Sequence, residues 1–190
     1  MFLLSRPSKS QIESCLSQSQ TLPLSYKPVG LAKQAAPGFT SDELSEIVGS
    51  GKQALERAKI ALTEWRHFKL GWVEIFPRGA STEPGTVVAV LVHHLGLWSL
   101  NGCRVLYGIG GQGSASFGFA YGTLTNHAEC GEEIFEVSLS EREEVIYRIR
   151  AVSKPRAALA RIGYPITRVL QERFRLDSVK ALRRAMDENS

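Results

Sequence analysis

Between Gly71 and Val152 apolar and polar positions alternate with strand-like spacing, and turn residues cut the stretch into six segments. The pattern predicts strands over 72–76, 86–93, 98–109, 114–124, 132–139 and 144–152. The second is β-branched and almost wholly apolar, as a central strand would be. In the fourth, Phe117, Phe119, Tyr121 and Thr123 share one face. Its other face carries Gly118, Ala120 and Gly122, small enough for close approach by another backbone. In the fifth, Glu133, Phe135, Val137 and Leu139 oppose Glu132, Ile134 and Glu136.

Flanking this region the spacing is helical. Leu55, Ala58, Leu62 and Trp65 form one stripe of a helix over 52–68. Ile166, Val169, Leu170, Phe174, Val179 and Leu182 face the core from a long helix over 166–186. Ser8 or Ser10 caps a short helix through Leu16, and Thr21 to Leu31 reads as a short, irregular first strand. Thr40-Ser41-Asp42-Glu43 reads as the start of a first helix, with carboxylates near its positive end, broken at Gly49-Ser50-Gly51. Ser153-Lys154-Pro155 ends the sheet, and 156–162 reads as a helical turn.

Hairpin-length connections between the strands imply antiparallel pairing. The expected fold is α+β: one domain over 1–190, an antiparallel curved sheet of six to seven strands gripping a long C-terminal helix. This order is similar to the helix-grip fold of the Bet v 1 and START-like superfamily. That resemblance implies a cavity between the curved sheet and the last helix.

A chain of 190 residues suits one well-buried core. No run approaches the roughly 18 apolar residues of a membrane span. The apolar opening Phe2-Leu3-Leu4 is too short for a secretory core, so neither a transmembrane segment nor a signal peptide is expected. Cys15, Cys103 and Cys130 are odd in number and lack CxxC spacing, which argues against a disulfide framework or zinc site and fits a cytoplasmic location. Residues 145–190 hold eleven Lys or Arg against four acidic residues, a basic face that is either solvated or turned to an anionic partner. No aromatic or glycine-rich nucleic-acid motif accompanies it, so nucleic acid is not the expected partner. The Gly110-Gly111-Gln112-Gly113 cluster lacks the ending of a phosphate loop, and no dinucleotide fingerprint, nucleophile elbow or kinase signature occurs, so no cofactor is expected.

The candidate chemistry is concentrated from Tyr121 to Phe135. Glu133 points to the cavity side of the fifth strand, where desolvation raises a carboxyl pKa towards neutrality and suits it to acid–base work, or else it is a strand-end glutamate at the rim, hydrated or paired with an arginine. His127, in the connection before it, is a proton shuttle or ligand-orienting donor beside Glu133 and the Tyr121 hydroxyl, or else a loop histidine bound to its own turn. No HxxxH or HExxH pair exists among His67, His93, His94 and His127, so no metal site is expected; adjacent His93 and His94 point to opposite faces. Tyr121, Phe117, Phe119, Phe135 and Tyr147, with Trp65, are the expected ligand wall, although Tyr121, Tyr147 and Trp65 also read as core side chains. Arg168, Gln171 and Arg175 flank the last helix's stripe, where an arginine at the cavity mouth would suit an anionic head group.

Two functions follow: binding of a small apolar or amphipathic molecule, or cofactor-independent acid–base catalysis (a cyclase, isomerase or hydrolase) through Glu133 and His127. A third is an interaction module that uses the basic last helix on nucleic acid or anionic membrane.

Trp65-x-x-Phe68 with Trp72, Tyr121-Gly-Thr-Leu-x-x-His127, Gly131-Glu-Glu-x-Phe135, Ser153-Lys-Pro155 and Gly163-Tyr-Pro165 follow one another in this order along the chain. Together with the opening Phe2-Leu-Leu-Ser-Arg-Pro7 they resemble domain-of-unknown-function family 1990 of bacteria and plants. The resemblance spans nearly the whole chain and implies a fold and a lineage, with no activity to carry over.

Overall fold

The computed structural model of the chain describes residues 2–34, 36–111, 113–155 and 164–188. Its strands are β1 (Phe2–Leu3), β2 (Thr40–Ser50), β3 (Val73–Phe76), β4 (Val87–His94), β5 (Leu97–Gly110), β6 (Ser116–Thr123), β7 (Glu129–Leu139) and β8 (Glu144–Pro155). The helices are α1 (Lys9–Ser19), α2 (Gly51–Thr63) and α3 (Tyr164–Glu188). The strands form one antiparallel sheet in the order β2-β8-β7-β6-β5-β4-β3, with the short β1 paired to the start of β5. From β3 to β8 each strand is a hairpin neighbour of the next, as alternation and short turns predicted.

One face of the sheet carries the main core. Phe119, Phe135, Val137, Val145, Tyr147 and Ile149 meet Ala54, Leu55, Ala58, Ala61 and Leu62 of α2 and Val179, Leu182, Ala185 and Met186 of α3. Tyr147 Oη and Ser178 Oγ share a hydrogen bond of 2.9 Å, which fixes the C-terminal half of α3 to the sheet. His67 lies in the same core at 0% exposure. The rings of Phe135 and Phe68 are 4.7 and 4.8 Å away. Among the described residues neither of its ring nitrogens has a hydrogen-bond partner. Burial drives its pKa down to about 3, so it is held neutral.

The opposite face is covered by the segment of the chain that precedes β2. Ile12 of α1 packs on Ala89, Leu91 and Leu100, and Tyr26, Leu31 and Ala32 pack on Ala120, Ile134 and Val152. Gly122 shows the close approach expected of the small-residue face: a Cβ there would lie 2.4 Å from Tyr26 Oη.

Four elements differ from the sequence expectation. The helix expected from Thr40 is strand β2, which pairs with β8 from Thr40↔Ser153 to Ser50↔Glu144. Asp42 and Leu44 turn inward while Ser41 and Glu43 turn out, a spacing that the Ser-Asp-Glu helix-start signal masked. The strand expected over 21–31 is an irregular crossing with one isolated bridge, Leu24↔Leu124, and a 3-10 turn at Leu31–Lys33. The helix expected to reach Phe68 stops at Thr63, because Trp65 takes a left-handed φ of 55° and a separate 3-10 turn follows over Arg66–Phe68. The fifth predicted strand, β7, starts three positions earlier, at Glu129. The helical turn expected over 156–162 lies outside the described residues.

Candidate functional site

The N-terminal half of α3 stands off the sheet and roofs a cavity of about 440 Å³. Leu170, Gln171, Phe174 and Arg175 line it from the helix, Phe68 and Trp72 from the α2–β3 connection, and Val90, Val92, Tyr121, Glu129, Glu133 and Ala151 from the strands. The wall is mainly apolar, with its acidic groups on β7.

Glu133 is where alternation placed it. The Tyr121 hydroxyl donates to its Oε2 at 2.8 Å, across the β6–β7 pair. Burial raises the Glu133 pKa to about 7, against the Tyr121 hydrogen bond and the Arg175 charge, which pull it down. Glu129, two strand pairs along the same face, is also raised to about 7 by burial, against the hydrogen bond from Gln171. The Gln171 amide donates to both Glu129 oxygens, at 3.0 and 2.9 Å, and to Ser153 Oγ at 3.1 Å.

His127 lines the cavity but does not pair with Glu133 or Tyr121. Its Nδ1 accepts the backbone N–H of Glu129 at 2.9 Å, so in the neutral ring the proton sits on Nε2. Burial lowers its pKa to about 3. A ring that is neutral near pH 7 and bound to its own turn through Nδ1 presents Nε2–H as a donor.

Much of the expected wall lies beneath the cavity. Phe119, Phe135 and Tyr147 are core residues at 1%, 0% and 0% exposure, and Phe117 packs against the same core. Trp65 is also core, its indole N–H donating to Ala80 O at 2.9 Å. Of the expected aromatics Tyr121 alone lines the cavity; among the described residues it is joined there by Phe68, Trp72 and Phe174. Alternation tells which face a residue is on but not whether a helix lies directly above it. Arg168 is no lining residue: it makes a two-pronged ion pair with Asp42 on β2 and donates to Gln171 Oε1 at 3.0 Å. Arg175 does line the cavity, with Asp42 3.6 Å away. Glu129 was not singled out, although period two carried back from Glu133 through Gly131 puts it on the same face.

Glu132, on the opposite face, is 2% exposed. It accepts from the hydroxyls of Tyr26 and Tyr107, both at 2.6 Å, and from the backbone N–H groups of Gly30, Leu31 and Ala32 at 3.0, 3.3 and 3.2 Å. This carboxylate anchors the N-terminal cover to the sheet.

A curved antiparallel sheet, a long C-terminal helix and a cavity between them make up the helix-grip fold. Solved structures show the same fold. A hypothetical protein of Helicobacter pylori aligns with a TM-score of 0.52 at 13% identity, over 85% of this chain and 95% of that one. The Zhui aromatase/cyclase of Streptomyces sp. R1128 aligns at 0.51 and 13% identity, over 78% and 94%. The chain belongs to the family described as Domain of unknown function (DUF1990), whose model matches residues 25–181. It is similar to the UPF0548 protein of Dictyostelium discoideum, 29% identical over 100% of this chain and 97% of that one. The UPF0548 protein of Deinococcus radiodurans is 30% identical over 91% and 92%.

Proposed function

We propose that this protein binds a small apolar or amphipathic molecule between the sheet and the N-terminal half of α3. The observation that carries the reading is the cavity itself: about 440 Å³, apolar along most of its wall, with Glu133 and Glu129 on one strand. That volume falls within the usual range of small-molecule sites, about 300–1,000 Å³. Native mass spectrometry of the purified chain, followed by denaturing extraction, tests it. The expected result is a discrete bound molecule, lost in Ala151→Phe, whose ring would fill the cavity beside Glu133. An apo mass for the wild type, with no binding in a screen of hydrophobic compounds, would sink the reading.

Acid–base catalysis in the same cavity is the second reading, favoured by the Tyr121–Glu133 pair and the Glu133 pKa of about 7. A carboxyl group poised there can give or take a proton at neutral pH. For a substrate identified by extraction, Glu133→Gln should lower turnover by about 10²–10⁴ while leaving the bound complex detectable. Unchanged turnover would remove Glu133 from the chemistry. The anionic-partner reading has less support, because Arg168, Arg173, Arg175, Lys180 and Arg183 of α3 all face acidic side chains of this chain.

A further inference from the structure

Glu132 and Glu133 are neighbours on β7 that face opposite layers, and their partners differ sharply. Five protein donors converge on Glu132. Glu133 has one, the Tyr121 hydroxyl on Oε2, and among the described residues nothing donates to Oε1. Glu129 is approached by the neutral Gln171 amide. Among the described residues, the other charges at this end of the cavity are Asp42, Arg168 and Arg175, and Asp42 already faces both guanidinium groups. Among the described residues, then, neither cavity carboxylate has a cation within ion-pair distance. A desolvated carboxylate with only neutral donors is poorly compensated, and whatever enters the cavity is free to supply the missing partner. The rings of Phe68, Tyr121 and Phe174 line the same space, and aromatic faces attract cations.

We propose that the ligand is a small amphiphile carrying a protonated amine. Its ammonium group lies against the Glu133 and Glu129 carboxylates, and its apolar part lies along Phe68, Tyr121 and Phe174. This rests on the cavity being a binding site. Among the described residues, the other titratable groups near the carboxylates are shifted away from neutrality. Burial lowers the pKa of His127 to about 3, burial and the neighbouring His93 lower that of His94 on β4, and burial keeps Cys103 on β5 and Tyr147 on β8 protonated. Asp42 is kept ionised by Arg168 and Arg175. Titration near pH 7 therefore belongs to Glu129 and Glu133, and a cation needs at least one of them ionised. Its affinity rises by about tenfold from about pH 6 to about pH 8 if one ionisation is required.

The test is calorimetric titration of the full chain with octylamine, octanol and octanoate, which share one alkyl tail and differ in head group. The expected result is that octylamine binds tightest at about pH 8, by about tenfold or more over octanoate, and weakens towards about pH 6. Glu133→Gln should keep octanol binding and lose most of that pH dependence and preference. Octanoate binding more tightly than octylamine, or octanol equalling it, overturns the amine and leaves the cavity reading standing. Failure of all three to bind overturns the cavity reading with it. A wild-type pH profile in Glu133→Gln overturns the role given to Glu133.

Discussion

Two buried ionisable side chains give this protein opposite responses to pH. Glu133 has its pKa raised by burial from 4.5 to about 7 in the folded state. The unfolded chain releases that proton first, so stability is fully present below about pH 4.5 and is lost as pH rises through about 7. Glu133→Gln should flatten that slope, gaining on the order of 3 kcal/mol at about pH 8 and little at about pH 4, read by urea unfolding. Parallel curves for the two proteins would count against a buried, uncompensated Glu133. His67 works in the other direction: its folded pKa is lowered from 6.5 to about 3. Stability is present above about pH 6.5 and lost as pH falls towards 3, and His67→Phe should remove part of that acid sensitivity. Glu132 is the structural counterpart. Glu132→Ala leaves two tyrosine hydroxyls and three backbone N–H groups without their acceptor, and should cost about 3 kcal/mol or more. The loss should appear as faster hydrogen exchange over residues 24–34; exchange unchanged there would remove Glu132 as the anchor of the cover.

Helix α3 is held in two different ways along its length. Its C-terminal half is fixed by apolar burial of Val179, Leu182, Ala185 and Met186. Its N-terminal half, the cavity roof, is tied by polar contacts: Arg168 and Arg175 to Asp42, Gln171 to Glu129, and Asp177 to the Trp72 indole N–H at 3.1 Å. Replacing Asp42 with Asn should speed amide exchange over 168–177 by about tenfold or more and leave 179–186 nearly unchanged. Equal acceleration of both halves would mean that the helix opens as one unit. The Arg168 hydrogen bond lowers the Asp42 pKa below its usual 3.8. Its contribution is therefore present above about pH 3.8 and fades as pH falls through the folded value. Strand β2 was concealed in the sequence for a related reason. Thr40-Ser41-Asp42-Glu43 has the local chemistry of a helix start, and only the free edge of β8 makes it a strand.

For the whole molecule the consequence is a cavity whose occupancy should be visible in stability. A ligand that binds only the folded chain adds about 2.7 kcal/mol at a hundredfold excess over its Kd. Octylamine should therefore raise the melting temperature of the wild type more at about pH 8 than at about pH 6, and scarcely that of Ala151→Phe. An equal shift in both proteins would place the amine outside the cavity.

The sequence by itself determined what local periodicity encodes: strands β3 to β8, the long last helix, the cavity-facing side of Glu133 and Tyr121, and the separation of His93 from His94. These follow from spacing along one chain segment, which fixes a side chain's direction before any packing. The motifs from Trp65 to Pro165 carried the family resemblance in the same way. Only the tertiary structure decided depth and partnership. Phe119 and Phe135 share a face with Tyr121 and Glu133, yet they are core, because α2 and the C-terminal half of α3 cover one part of that face and the cavity occupies the rest. Glu132 became an anchor because Tyr26, some hundred residues earlier in the chain, folds across the back of the sheet. Such contacts depend on where distant segments cross, and neighbours along the chain carry no record of that.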